Sequence, residues 1–166
     1  LPTEIHYLPG GGVEQNPEQW WFGVLGTTSA LMRKKIVSPE EVVAVSVSST
    51  FSSTVAVDRD GQPLMNAITW MDTRGAPYVK KTMAGFPAFR GYGLLNAWRW
   101  LRKTGGAPTL SGKEDIGHVL FIQQEFPDIY DQTYLFLPSK DFLNLRLTGE
   151  FAATYDSMHL FWVTDI

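Results

Sequence analysis

The stretch TVAVDRDGQPLMNAITW, running from Thr54 to Trp70, constrains the fold more than any other part of the chain. A short β-branched run is followed by Asp60-Gly61 and then by a second apolar run, which predicts a strand, a hairpin turn and a returning strand. Upstream, SPEE (Ser38 to Glu41) offers a cap and a short turn, and VVAVSVSS (Val42 to Ser49) reads as a buried strand. These three segments predict an antiparallel or mixed ribbon.

Helices are marked by their ends. Asn16 can cap, Pro17 suits the first helical position and Gln19 completes a capping-box pattern, with Trp21, Val24, Leu25, Thr28, Leu31 and Met32 falling on one face. LLNAWRWLRKTGG sets Leu94, Leu95, Trp98 and Leu101 on one side of a helix that Gly105 terminates. After the loop APTLSGKED, Ser111 and Glu114 suggest a second capping box, opening a helix through Ile116, Val119, Leu120 and Gln123. TYLFL is a short strand, Ser139 caps the helix KDFLNLRL, and Gly149 ends it. With 44% hydrophobic residues in 166, the chain can bury the core of a single domain, residues 1–166, of α/β or α+β class.

Composition removes several functions. A net charge of −3 without a basic stripe argues against nucleic acid as a partner, and no apolar run approaches the roughly 18 residues of a membrane span. Cys 0 excludes disulfides, a thiolate nucleophile and cysteine-ligated zinc, so the cytoplasm is the default location. His6, His118 and His159 lack metal-ligand spacing, read as surface or locally satisfied residues, and leave no candidate metal site.

Three stretches could carry chemistry. The hydroxyls of SVSSTFSST (Ser46 to Thr54) suit polyol recognition, or they satisfy backbone groups at a strand end. In ITWMDTR, strand alternation places Trp70, Asp72 and Arg74 on one side: an aromatic platform, a carboxylate to accept hydroxyl protons and an arginine to hold it. The plainer reading is a buried tryptophan followed by a surface ion pair. Lys140 and Asp141 open a helix, where such a pair ordinarily caps and solvates.

The order of the segments EQNPEQWW, VDRDGQPLMNAITWMDTR and FPDIYDQTYLFLPSKDFLNLRLTGEFAATYD resembles the amino-terminal domain of the FGGY carbohydrate kinases, most closely the xylulokinase-like branch. That resemblance implies an actin-like, ribonuclease-H-like domain with a mixed sheet flanked by helices, one half of a two-domain ATP-dependent sugar kinase. It implies a sugar site at Thr50, Phe51, Ser52, Trp70, Asp72 and Arg74, with Asp72 foremost for a direct or supporting hydroxyl contact, and Lys140 and Asp141 as weaker cleft support. The substrate would be a small-molecule sugar or polyol (a ketose, polyol or aldonate), the cofactors ATP and Mg²⁺, held mainly by a second domain, and a homodimer remains open. Family members begin with a phosphate-holding strand-turn-strand that this chain lacks, and their catalytic aspartate would lie beyond Ile166, so the fragment alone is expected to be inactive. Thr50, Phe51 and Ser52 replace a Gln-Met-His triplet. A helical Lys-apolar-apolar-Trp signature becomes Ala97-Trp98-Arg99-Trp100, and residues 103–122 look inserted. The rival reading is a non-catalytic sugar sensor or scaffold on the same fold.

Overall fold

The structure is a computed structural model that describes residues 1–159 and 161–165. Its main sheet has five strands: β1 (His6–Leu8), β2 (Gly12–Gln15), β3 (Thr54–Val57), β4 (Ala67–Ile68) and β7 (Leu135–Pro138). Their order is β1-β2-β4-β3-β7. The hairpin predicted from the sequence forms: Asp58 accepts from the amides of Asp60 (2.9 Å) and Gln62 (2.8 Å), Gly61 takes φ +75°, and β3 runs antiparallel to β4. β1 and β2 make a further hairpin that the sequence reading did not find.

Every pairing among the described residues is antiparallel, where the resemblance implied a mixed sheet. The expected strand Val42–Ser49 is the reason. Both edges of β3 are occupied, by β4 and by β7, so this run finds no edge there and stays outside the sheet, with Val43 97% exposed and only Val47 packed against the core. Ser38–Glu41 does form its short turn, closed by the Glu41 carboxylate on the Ser38 amide at 2.9 Å.

Helices cover both faces, as an α/β fold requires. α1 (Pro17–Arg33) and α6 (Ser139–Thr148) lie on one face. There Val55, Val57 and Leu137 pack with Phe142, Leu143, Leu145, Trp20 and Trp21. α4 (Asp115–Glu125) covers the other, where Ile68 meets Phe121 and Ile122. α2 (Ala76–Met83) and α5 (Pro127–Gln132) contribute Tyr78, Ile129 and Tyr130 to the same cluster. Strand alternation turns Thr54 toward α4, so a hydroxyl faces that buried side.

The small hairpin β5 (Ala88–Phe89) and β6 (Tyr92–Gly93) leads into α3 (Leu94–Thr104), which Gly105 terminates in the left-handed conformation as expected. α7 (Tyr155–His159) closes the described fold. Three details differ from expectation. Gln19 does not close a capping box; its Oε1 accepts from the Glu4 amide, and Asn16 alone caps α1 through the Glu18 amide. Glu114, not Ser111, is the N-cap position of α4, and its carboxylate accepts from the Thr109 amide and Trp162 Nε1. Ser139 lies inside α6 and donates to the Thr50 carbonyl instead of capping. No helix among the described residues is long and apolar enough to cross a membrane.

Candidate functional site

Where the chain enters β3, residues 47–52 wall a cavity of about 350 Å³ whose other side is Pro138, Lys140, Asp156 and Ser157. The start of α6 thereby meets the serine-rich loop, bringing Thr50, Phe51, Ser52 and Lys140 together. Ser139 Oγ fixes the loop at the Thr50 carbonyl (3.0 Å) and meets Ser49 Oγ at 2.8 Å. Phe51 is 63% exposed and free to present its ring. Ser52 is 2% exposed and its hydroxyl lies on the Lys113 carbonyl at 3.0 Å, with Asp115 Oδ2 at 3.4 Å. Lys140 Nζ reaches Asp156 Oδ2 (2.7 Å) and Thr154 Oγ1 (2.8 Å), and that contact holds the Asp156 carboxyl at about 2, well below its ordinary range. The neighbouring Asp141 turns inward. Its Oδ1 accepts from Ser157 at 3.3 Å, its Oδ2 has no partner among the described residues, and burial pushes its pKa up.

Trp70, Asp72 and Arg74 do not line up on one side. β4 ends at Ile68, and the Asp72 amide closes a turn onto the Thr69 carbonyl at 2.9 Å, which ends the extended geometry that alternation requires. Trp70 is left 46% exposed, with Lys113 Nζ 5.7 Å from its ring centroid. Asp72 is 0% exposed and accepts from the Val13 amide (2.9 Å), the Arg74 amide (2.8 Å), Arg74 Nε (2.9 Å) and Arg74 Nη2 (2.7 Å). Arg74 Nη2 also donates to Glu14 Oε1 at 2.7 Å, and the guanidinium lies 4.4 Å from the Phe121 ring centroid. Burial pulls the Arg74 pKa down, but the bonds to Asp72 and Glu14 outweigh it and hold it above its ordinary value. The arginine does hold the carboxylate, as the residue types suggested. Together they pin β2 to the turn after β4, and the acceptors of Asp72 are occupied.

Two further groups are buried: Asp115, which the sequence did not single out, and His118, read there as a surface or locally satisfied residue. Asp115 and His118, one turn apart on α4, both reach Thr54: Asp115 Oδ1 at 2.6 Å and His118 Nδ1 at 2.9 Å. Thr54 has a single proton, and the shorter contact gives it to Asp115. His118 Nδ1–H then donates to Thr54, leaving Nε2 buried without a partner among the described residues. Burial pushes Asp115 up to about 6, against the lowering effect of the Thr54 and Ser52 hydroxyls. Burial likewise pushes His118 down to about 4, with Asp72 opposing and Arg74 adding to the fall. The signal was present in the sequence as an i, i+3 pair on the same face as Ile122.

The described residues contain no group of three His, Cys, Asp or Glu that could hold a metal ion, and the cavity ammonium is already paired with Asp156. Among the described residues these groups do not fit MgATP.

The chain is a two-face α/β domain with a hydroxyl-lined cavity at the entrance to a central strand. Residues 2–159 match the FGGY family of carbohydrate kinases, N-terminal domain, and the chain belongs to that family. A glycerol kinase of Thermococcus gammatolerans is 29% identical over 161 residues, covering 92% of this chain and 29% of that protein. A xylulose kinase of Bacillus subtilis is 28% identical over 145 residues, covering 87% and 27%. Among solved structures, the gluconate kinase of Lactobacillus acidophilus superposes with a TM-score of 0.81 at 21% identity, over 99% of this chain and 31% of that one. The xylulose kinase of Rhodospirillum rubrum gives 0.80 at 20% identity, over 100% and 32%. The chain thus spans less than a third of the length of these relatives.

Proposed function

We propose that this chain is the sugar-binding half of an ATP-dependent carbohydrate kinase, and that the cavity beneath residues 47–52 receives a ketose, polyol or aldonate. The observation that carries the reading is the cavity wall: Ser48, Ser49, Thr50 and Ser157 offer hydroxyls and backbone groups to a polyhydroxylated molecule, and Phe51 offers an apolar face to its C–H groups. Trp70 stands outside, joined to the loop through Lys113, whose carbonyl accepts from Ser52. Asp72 and Arg74 act by holding the scaffold.

MgATP, bound mainly by a second domain, supplies the γ-phosphoryl group when present. The residues of this chain bind the acceptor, orient its hydroxyl and screen it from water, which is the larger part of what a phosphoryl-transfer enzyme must do. Xylulose, gluconate and glycerol, the acceptors in the relatives' names, are the first candidates. The same reading assigns the protein to the cytoplasm, with its nucleotide.

The test is ADP release by the native-length gene product with MgATP and a panel of xylulose, gluconate and glycerol. We expect turnover with one of the three. Silence across the panel from folded, ATP-binding protein would overturn the kinase reading in favour of a non-catalytic sugar sensor.

A further inference from the structure

Residues 50–52 carry the proposed specificity, yet nothing within the loop itself explains its shape. Ser52 has φ +52°, a backbone conformation that a residue with a Cβ rarely adopts unless its surroundings impose it. The imposing contacts come from the first residue of α4 and from Lys113 just before it. Asp115 receives the Thr54 hydroxyl on one carboxylate oxygen at 2.6 Å and faces Ser52 Oγ with the other at 3.4 Å. The Lys113 carbonyl takes the Ser52 hydroxyl at 3.0 Å. Asp115 is fully buried and Thr54 nearly so, so this bracket is shielded from water and cannot be replaced by solvent. On the cavity side the loop has one further anchor, Ser139 on the Thr50 carbonyl.

We propose that Asp115 is a positioning residue: from beneath the loop it fixes Ser52 and Thr54, and thereby sets where Thr50 and Phe51 meet the acceptor. The inference rests on the cavity being the acceptor site. Asp115 does not touch the acceptor, because it is sealed beneath Ser52 and Thr54. Its removal releases Thr54 and empties the space beneath Ser52, whose hydroxyl is left with the Lys113 carbonyl alone, and Phe51, the preceding residue, moves with it. The consequence is confined to acceptor binding, since β1, β2 and α1 do not touch Asp115 in its hydrogen-bond network.

The test uses the native-length protein and the acceptor it phosphorylates among xylulose, gluconate and glycerol. Asp115→Ala should raise the acceptor KM at least tenfold while the KM for MgATP stays within twofold. Asp115→Asn, which can accept from Thr54 and donate to Ser52, should recover most of that loss and remain folded if the alanine variant does not. Hydrogen exchange read by mass spectrometry supplies a readout independent of turnover: amides 49–54 should exchange at least tenfold faster in Asp115→Ala, with α1 unchanged. An unchanged acceptor KM, equal loss for acceptor and MgATP, or unchanged exchange at 49–54 would overturn the inference and leave the kinase reading standing. Faster exchange at 49–54 with no turnover on any acceptor would uphold the positioning role and overturn the kinase reading.

Discussion

Thr54 stands between two buried groups whose charging costs run in opposite directions. Asp115 titrates near 6 in the fold against 3.8 in an exposed chain, so its contribution to stability is full below pH 3.8 and is lost as pH rises through 6. His118 titrates near 4 against 6.5, so its contribution is full above pH 6.5 and is lost as pH falls through 4. Across the shared window the two slopes oppose and largely cancel. Single substitutions should unmask them. Relative to the wild type, Asp115→Asn should lose stability on going from pH 7 to pH 4.5, by about 2 kcal/mol, since about 1.5 pH units of the interval lie below the folded value of about 6. His118→Gln should gain over the same interval. Asp72, Arg74 and Glu114, whose charges also act on this pair, are unchanged in both variants. Urea midpoints at the two pH values, compared with the wild type, check the signs; parallel curves would show that the pair is not charged as described.

At the scale of elements, α4 is set by three glycines. Gly75, Gly112 and Gly117 meet backbone to backbone. A Cβ on Gly117 would overlap the Gly112 carbonyl, and one on Gly75 would overlap the Gly117 carbonyl. Main chain cannot yield as a flexible side chain does, so Gly117→Ala should destabilise by about 1–3 kcal/mol. Gly23→Ala, in the middle of α1 with open space around it, should stabilise by about 0.5–1 kcal/mol through helix propensity alone. Denaturant titration of the pair gives the contrast. Such close approaches are invisible in sequence, because the partner backbone arrives from another element. What was legible was local: the Asn16-Pro17 start of α1, the Asp60-Gly61 turn, and the glycine stops at 105 and 149 all follow from backbone preferences of single residues. Val42–Ser49 was misread for the complementary reason. Its β-branched residues favour extended backbone, but whether an extended run becomes a strand depends on a free edge, and β7, far away in the chain, occupies one edge of β3.

At the scale of the whole molecule, the candidate site is assembled from segments about 90 residues apart, as the Ser49–Ser139 contact shows. The residue types at 50–52 and 140 could be picked out in the sequence, and so could those at 72 and 74. Only the fold separates them, sending the first set to one cavity and the second to a buried clamp on β2. That separation has a thermodynamic consequence. A ligand that binds the folded state alone stabilises it by about 2.7 kcal/mol at a hundred times its Kd, whatever the nucleotide does. The acceptor should therefore raise the Tm of the native-length protein in the absence of ATP, and the rise should grow with the logarithm of its concentration. Phe51→Ala should reduce that rise strongly while hardly changing the unliganded Tm, because Phe51 is 63% exposed and its loss removes little burial. Thermal melts followed by dye fluorescence across an acceptor series decide it. If Phe51→Ala keeps the full stabilisation, the acceptor binds elsewhere and the cavity at residues 47–52 loses its claim. If the rise disappears while the unliganded Tm is retained, recognition depends on the Phe51 loop and not on the Asp72–Arg74 clamp, which this substitution leaves intact.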